Sequence, residues 1–353
     1  MKNKYVKLLT ATALTSVLAS GAALAQIKIS GYHESNMITG SSKGANSTKQ
    51  LGSETSLRFT ANGNLNNGMT YLADYEMRNA VTFERLLNIG VTKDLDVYIG
   101  AETIKGAEIA RTINPYVNNR IQDITNGTGL SNALDGTSGE NYVGFDFKNI
   151  VGNGRLSVTY TPNSSGVGAG ATGETGNTNA VSSTDLAGST ANATTADAAL
   201  SVLTAGFVID PIPSVKIGFG ITKGDSKVAA NDDAESKTAG IRFTQGPASI
   251  GYQYHINDNN TAIGTSQENK VNTFSATYAV NKELSVGLAH SKQERKLENV
   301  EQPDLKVKAL QVGYNLGPVA LTAGVAKAEN ILGGTTTAQD ADKIGFVRLI
   351  GAF

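Results

Sequence analysis

The sequence predicts an all-β protein, a transmembrane antiparallel β-barrel of about sixteen strands with long extracellular loops and short periplasmic turns. Three observations predict this fold: apolar residues that alternate with a period of two, connections that alternate between short and long, and an apolar segment that ends the chain on Phe353. In lipid, a last strand of this kind needs a partner strand, and a barrel supplies one by pairing it with the first strand. We therefore expect one barrel domain, 26–353.

The chain begins with the features of a secretory signal. Three lysines among the first seven residues form a positive region, an apolar stretch follows, and Ala23-Leu24-Ala25 fits a cleavage site. We expect the signal peptide, 1–25, to be removed, so that the mature chain starts at Gln26. Beyond it no apolar run reaches the roughly 20 residues of a membrane-spanning helix, so a mature chain in a membrane has to be a barrel.

Composition limits the possible partners. There is no cysteine, which excludes a disulfide framework and a thiolate metal site. Without the three lysines of the signal, 27 of the 30 basic residues remain against 31 acidic residues, a net charge near −4. This balance argues against nucleic acid as a partner.

Period-two alternation is the basis of the strand assignments. Apolar residues occupy every second position, and small or polar residues lie between them, as expected when one face meets lipid and the other meets water. The segments around these residues show the pattern: Tyr75, Phe145, Val158, Phe219, Tyr252, Phe274, Val286, Val312 and Leu321.

Connections between the strands fall into two classes. Short ones with tight-turn residues are predicted at Asn66-Asn67-Gly68, Lys93-Asp94, Asp210-Pro211, Gly246-Pro247, Asn281-Lys282 and Gly317-Pro318. Long polar ones are predicted at 39–52, 104–139, 162–197, 224–237, 257–269 and 292–304. Short turns on one rim and long loops on the other are typical of an outer-membrane barrel, and an even strand number brings both termini to the short-turn rim.

Several segments, in their order and spacing, resemble the Gram-negative general porin family, the sixteen-stranded trimeric outer-membrane porins. They are Ile27-Lys28-Ile29-Ser30-Gly31-Tyr32, Ser56-Leu57-Arg58-Phe59, the stretch from Leu65 to Glu76, the block 85–90 and the terminal Phe353. The resemblance implies a water-filled channel in the outer membrane of a Gram-negative bacterium, for passive diffusion of ions and small hydrophilic solutes. It also implies that the third extracellular loop, 104–139, folds into the barrel as a constriction.

The same resemblance implies the partners. We expect a homotrimer, contact with outer-membrane lipid and lipopolysaccharide, and barrel assembly machinery that reads Phe353 as its signal. The second loop, 79–82, is too short for the latch that reaches a neighbouring subunit in many members of the family.

Charged residues on the inward face are the candidate functional residues. If the apolar alternates face lipid, the following residues point into the lumen: Glu54, Arg58, Asp74, Glu76, Arg78, Glu102, Asp146, Arg155, Lys216, Arg242 and Arg348. For the constriction we predict Arg58, Glu76 and Arg78 on the wall, and Glu108, Arg111, Arg120, Asp123 and Asp135 on the third loop. Arg85 joins them by its family match alone, because the alternation leaves its side, lumen or outside, open.

Acids on the loop opposite bases on the wall predict a transverse field and a weak preference for cations. Two alternatives remain open: a solute-specific channel, and a structural or adhesive surface barrel with a plugged lumen.

We predict no enzymatic activity and no catalytic residue. No cofactor is expected, apart from weak divalent cation binding at loop acids such as Asp232 and Asp233. No metal site is expected at His33, His255 or His290, since none of them forms a ligand pair.

Overall fold

The computed structural model describes residues 26–42, 48–79, 82–101, 105–110, 113–117, 142–164, 200–225, 234–259, 267–297, 300–330 and 341–353. Within these ranges the strands are β1 (Gln26–Ser42), β2 (Thr48–Asn64), β3 (Thr70–Arg78), β4 (Thr82–Thr92), β5 (Leu95–Ala101), β6 (Tyr142–Ile150), β7 (Gly154–Ser164), β8 (Leu200–Ile212), β9 (Val215–Asp225), β10 (Ala234–Gln245), β11 (Ala248–Asn259), β12 (Gln267–Ala279), β13 (Leu284–Leu297), β14 (Val300–Asn315), β15 (Val319–Glu329) and β16 (Ala341–Ala352). One 3-10 turn, Gly106–Ala110, follows β5. In the described part of the chain, no helix is both long and apolar enough to cross a membrane.

The strands form one closed antiparallel barrel, which confirms the predicted fold class. Each strand pairs with its neighbours in sequence, and β16 pairs with β1. At the seam, the Gly31 and Phe353 amides each donate a hydrogen bond to the other residue's carbonyl, both at 3.0 Å. A Cβ added to Gly31 would lie 2.5 Å from the Phe353 ring, so the ring lies over a position without a side chain. Closure leaves no strand edge unpaired.

The two faces of the barrel reverse the arrangement of a soluble protein. Exposed apolar side chains such as Phe219, Phe274 and Leu310 lie on the outer face. Buried polar side chains such as Glu54, Thr204 and Gln253 lie on the inner face. The register places the predicted lumen residues on the inner face in every case that the structure describes, whereas Glu102 lies outside the described residues.

Several strands are longer than the sequence suggested. The predicted loop 39–52 is mostly strand, because β1 continues to Ser42 and β2 begins at Thr48, with Gly40 opposite Thr48. Strands also extend into the predicted loops 224–237, 257–269 and 292–304. Beyond the lipid both faces of a strand meet water, so an extension there shows no apolar alternation to recognise.

One predicted turn is wrong in position. Asp210-Pro211 lies inside β8, and the turn to β9 is made by Pro213 and Ser214. The pairing of β8 with β9 shifts between Ile209 and Ile212, which marks a bulge at the proline. A proline cannot donate to the hydrogen-bond ladder and is accommodated at such a bulge.

We predict that deletion of Phe353 weakens both closure and assembly, whereas Phe353→Ala weakens assembly alone. The deletion removes two backbone hydrogen bonds to Gly31, each worth about 1 kcal/mol net, so the free energy of unfolding should fall by about 2 kcal/mol. Phe353→Ala keeps both bonds and should unfold close to the parent in urea titrations in detergent. In cells, both variants should reach the outer membrane in reduced amount, and normal levels of the deletion would contradict the prediction.

Candidate functional site inside the barrel

A segment of the chain after β5 lies inside the barrel. Residues 105–110 and 113–117, here called the inward segment, run along the inner wall, and the 3-10 turn contacts β7, β8, β9 and β10. The segment contributes apolar side chains to this contact, and Ile109, Ala110, Ile113 and Val117 are all buried. Burial of these side chains against the wall fixes the segment along it.

Five wall glycines form the floor beneath the inward segment. This glycine groove consists of one residue from each of β8, β9, β10, β11 and β13: Gly206, Gly218, Gly240, Gly251 and Gly287. A Cβ on Gly218 would lie 2.7 Å from Ile113, and one on Gly287 would lie 2.8 Å from Val117. Because these separations are shorter than normal carbon contacts, a larger residue would push the segment away from the wall.

Wall hydroxyl groups hold the start of the segment. The Gly106 amide donates to Ser157 Oγ at 2.8 Å, and the Ala107 amide donates to Thr204 Oγ1 at 3.0 Å. Farther along, Asn114 Nδ2 donates to the Thr273 carbonyl at 3.3 Å. These bonds satisfy amide groups that the segment buries, and they set its position along the barrel axis.

Lys105 makes an ionic anchor at the base of the segment. Its ammonium pairs with Asp146, a carboxylate that is 1% exposed, and lies 4.3 Å from the centre of the Tyr98 ring. Arg155 Nη2 contacts the same carboxylate at 2.7 Å. Burial lowers the pKa of the Lys105 ammonium, so the pairing with Asp146 only partly offsets the cost of desolvation.

The wall across the lumen from the inward segment is rich in acidic residues. In the closed ring of sixteen strands, β2 lies eight places from β10, so these two strands face each other across the lumen. Among the side chains that the structure describes, the inner face of β1 to β4 and β16 carries five carboxylates and three guanidinium groups, with the Lys28 ammonium on the same face near the start of β1. This acid-rich wall comprises Glu34, Glu54, Asp74, Glu76, Glu84, Arg58, Arg78 and Arg348.

Two arginines of this wall are held between carboxylates. Arg58 binds Asp74 through two nitrogens, with Nε 2.8 Å from Oδ1, and its Nη1 lies 4.0 Å from Glu76. Arg78 bridges two strands, with Nε 3.0 Å from Glu76 and Nη2 2.7 Å from Glu84. The shared carboxylate of Glu76 links both arginines into one network, which restrains their side chains.

The network continues across the seam of the barrel. Arg348 Nη2 on β16 lies 2.6 Å from Glu34 on β1. The Tyr32 hydroxyl donates to Glu54, and Ser56 Oγ donates to Glu76 at 2.6 Å. Buried carboxylates on this wall are therefore stabilised both by guanidinium groups and by hydroxyl donors.

These contacts correct the expectation of a basic wall. All three arginines pair with carboxylates of the wall itself, and the carboxylates outnumber them. The alternation in the sequence assigns a face to each residue, but the pairing across strands depends on a register that the sequence does not show. The described wall is therefore mixed, with an excess of acid.

The structure places the predicted constriction residues in three groups. Arg58, Glu76 and Arg78 lie together on the acid-rich wall. Arg85 is exposed on the outer face, opposite Tyr75 and on the same side as Leu87, so its assignment to the constriction is corrected. The structure describes the backbone of Glu108 but not its side chain. The remaining predicted constriction residues, Arg111, Arg120, Asp123 and Asp135, lie outside the described residues.

Several residues of the site were missed from the sequence. Glu34 and Glu84 lie on the same inner face as the lumen residues predicted from the sequence, and their positions in the period-two alternation could have identified them. Lys105 and the glycine groove gave no such signal, because their roles depend on contacts between distant parts of the chain. Among the side chains that the structure describes, no three acidic or histidine groups come together as metal ligands. The candidate cation-binding acids Asp232 and Asp233 lie outside the described residues.

Comparisons with known proteins agree on one family and one fold. A family model described as Gram-negative porin matches residues 10–331. The barrel is similar to the anion-selective porin from Comamonas acidovorans, with a TM-score of 0.67 and 14% identity over 93% of this chain and 100% of that one. It is also similar to in-vitro folded OmpT, an outer membrane protein of Vibrio cholerae, with a TM-score of 0.66 and 11% identity over 95% and 99% of the two chains. The barrel is similar as well to the outer membrane channel DcaP of Acinetobacter baumannii, with a TM-score of 0.63 and 11% identity over 95% of this chain and 99% of that one. Among curated proteins, none matches this sequence.

We predict that a disulfide can join the inward segment to the groove. The chain has no cysteine of its own, and a Cβ at position 240 would lie 3.0 Å from Ile113 Cβ, so a shift of the segment by about 1 Å away from the wall gives the separation of about 3.8 Å in disulfides. Ile113→Cys with Gly240→Cys should therefore form a bond on mild oxidation, seen as a reducible mobility shift on denaturing gels. Ile113→Cys with Leu310→Cys, on the outer face, is the matched control, and equal oxidation of both pairs would contradict the placement of the segment.

Proposed function

The chain belongs to the Gram-negative porin family, and we propose that it is a general diffusion pore whose passage lies between the inward segment and the acid-rich wall. It forms an outer-membrane channel for the passive diffusion of solutes. Porins of this family and fold are typically channels rather than enzymes, and the proposal includes no catalytic step. The proposed cargo is ions and small hydrophilic solutes.

The inward segment in its glycine groove is the observation that carries this proposal. It occupies part of the lumen on the side of β7 to β13. What remains of the lumen is bounded on the opposite side by the charged side chains of β1 to β4 and β16. Solutes that pass between the two come close to those charges, and lumen charges act most strongly where the passage is narrow.

The acid-rich wall supports a weak preference for cations. Two unit charges about 8 Å apart interact by roughly 0.5 kcal/mol in bulk water and by several-fold more in a narrow site of lower effective dielectric. Pairing with Arg58, Arg78 and Arg348 compensates most of the negative charge, so the remaining field is modest. Loop residues Asp123 and Asp135 belong to this proposal as further acids.

A homotrimer is part of the proposal, with the subunit contact on the outer face of β1 to β3. This face is polar in the middle of the strands, where His33 contacts Thr55 Oγ1 at 3.0 Å and Ser35 Oγ at 3.1 Å. Polar side chains facing hydrocarbon are costly, and a neighbouring subunit would remove them from lipid. The second loop, 79–82, is too short for a latch, so strand surfaces would make the contact.

Export and assembly complete the proposal. The signal peptide 1–25 would direct secretion and be cleaved before Gln26, and Phe353 would be the residue that barrel assembly machinery reads. Lipopolysaccharide and other outer-membrane lipids would surround the trimer.

A solute-specific channel remains the second candidate, and conductance that saturates with one solute would identify it. A plugged structural barrel would show no conductance steps.

We predict that the acid-rich wall sets the ion preference. Glu76→Gln with Glu84→Gln removes the two carboxylates that contact the Arg78 guanidinium and should shift the reversal potential in a salt gradient toward anions. Asp123→Asn with Asp135→Asn should shift it in the same direction. The control is Asp94→Asn with Glu283→Gln, an equal charge change in two short turns outside the lumen. If the control shifts the potential as much as the wall pair, the proposed passage is wrong.

We predict that cysteines on β1 cross-link between subunits. Ser35→Cys lies in the proposed contact and should give covalent dimers with a bifunctional maleimide in mild detergent, the largest product possible with one thiol in each subunit. Phe219→Cys lies on the outer face of β9, eight strands away, and should remain monomeric under the same treatment. Migration of the parent protein as a monomer on native gels would contradict the trimer.

A further inference from the structure

Two cationic side chains lie on the inner face on the short-turn side of the glycine groove. Arg242 on β10 is directly opposite Lys216 on β9. Each lies two positions from a glycine of the groove, Gly240 and Gly218, so both side chains point into the lumen. Like charges directly opposite each other on neighbouring strands destabilise a sheet unless an anion compensates them.

The described part of the chain compensates one of the two charges. Lys216 Nζ lies 3.0 Å from Asp210 Oδ1. Arg242 makes no ion pair or hydrogen bond with the protein in that part of the chain, and its side chain is partly exposed. Two cationic groups against one carboxylate leave a net charge of +1, which a single further carboxylate would neutralise.

Two polar atoms without partners lie next to Arg242. Gly251 on β11 is directly opposite Arg242 on one side and Ser275 on the other. Asn114 of the inward segment lies over this glycine, where an added Cβ would be 2.7 Å from Asn114 Oδ1. Asn114 Oδ1 and Ser275 Oγ are both buried and have no hydrogen-bond partner. A buried polar atom in this state costs free energy, which a bound ligand can recover.

We propose that Arg242, Asn114 and Ser275 form a subsite for a small monocarboxylate that carries a hydrogen-bond donor on the carbon next to the carboxylate. The Arg242 guanidinium would bind both carboxylate oxygens, the geometry that suits its planar fork. Ser275 Oγ would donate to the same carboxylate. Asn114 Oδ1 would accept a hydrogen bond from the hydroxyl or ammonium group on the neighbouring carbon. Small α-hydroxy acids and α-amino acids have this chemistry.

The spacing of the three groups suits so small a molecule. Directly opposite residues of an antiparallel pair have Cβ atoms about 5 Å apart, and Asn114 lies over the position between Arg242 and Ser275. The carboxylate and its α-substituent can therefore meet all three groups at once. An apolar acid would leave Asn114 Oδ1 without a donor.

More highly charged anions fit this subsite less well. The local net charge of +1 balances one carboxylate, and the acid-rich wall across the lumen repels a second negative charge. A cation would meet the Arg242 guanidinium without a carboxylate between them. The subsite rests on the proposed function for one step, the diffusion of the acid through the lumen, and it names the solute class that binds on the way.

The test is saturation-transfer NMR on the purified protein in detergent, which measures weak binding whether or not the barrel conducts. The probes are sodium lactate, alanine, sodium propionate as an acid without the donor, lactamide as the neutral amide of lactate, and inorganic phosphate. Lactate should half-saturate the protein at a concentration about fivefold below that of propionate, the effect of one net hydrogen bond. Lactamide should bind far more weakly, because it lacks the charge that Arg242 compensates.

Three variants separate the roles of the groups. Arg242→Gln should raise the half-saturating concentrations of lactate and propionate alike, by about tenfold or more. Ser275→Ala removes a hydroxyl group that bonds to nothing in the protein, so it should keep the fold and weaken both acids about fivefold. Asn114→Ala should bring lactate to the value of propionate. The matched control is Lys28→Gln, which removes a lumen-facing positive charge near the start of β1 and should bind as the parent does.

The outcomes divide as follows. Stronger binding of lactate or alanine than of propionate, lost in the variants of the subsite and kept in the control, supports the proposal, and the tighter of the two tells a hydroxyl from an ammonium donor. Equal binding of all three, unchanged binding in Arg242→Gln, or an equal loss in Lys28→Gln overturns it. Phosphate binding as tight as that of lactate would indicate a general anion site and also overturns it.

Conductance separates this inference from the proposed function. Lactate binding by a protein that gives no conductance steps would refute the pore and leave the subsite. Conductance steps from a protein that binds neither lactate nor alanine would refute the subsite and leave the pore.

Discussion

Pairing of the last strand with the first is the interaction on which the rest of this structure depends. In lipid, no water is present to satisfy a strand edge, so every backbone amide and carbonyl of a spanning strand needs a partner within the protein. The reciprocal bonds between Gly31 and Phe353 complete that pairing. Once the ring is closed, the alternation of side chains separates an apolar exterior from a largely polar interior, which also holds a buried apolar cluster that includes Leu305, Val307 and Phe346.

Closure also determines where the charges meet. Arg348 on β16 reaches Glu34 on β1 across the seam, although 314 positions separate them in sequence. The same ring places β10 opposite β2, so the inward segment and the acid-rich wall face each other through topology alone. Two features that are distant in the chain thus become the two sides of one passage.

The sequence predicted the strand number and the faces because both follow from local alternation. It did not predict the strand ends, since the extension of β1 to Ser42 lies where both faces meet water. For the site, the alternation of positions along each strand placed Arg58 and Arg78 on the inner face. The ion pairs that they form with Asp74 and Glu84 depend on the register between neighbouring strands, which the sequence does not show. Arg85 shows the limit of a family match, which alone placed it at the constriction, since the structure has it on the outer face.

The glycine groove has a consequence for how such a pore can change over time. Its floor is main chain, so the width of the passage depends on positions such as Gly206 and Gly218, where a side chain would displace the inward segment. The electrostatics depend on other positions, on the facing wall. Mutations on the acid-rich wall can therefore change the charge preference while the width of the passage stays the same. A lineage could explore selectivity without risking occlusion, since the two properties are encoded by separate residues.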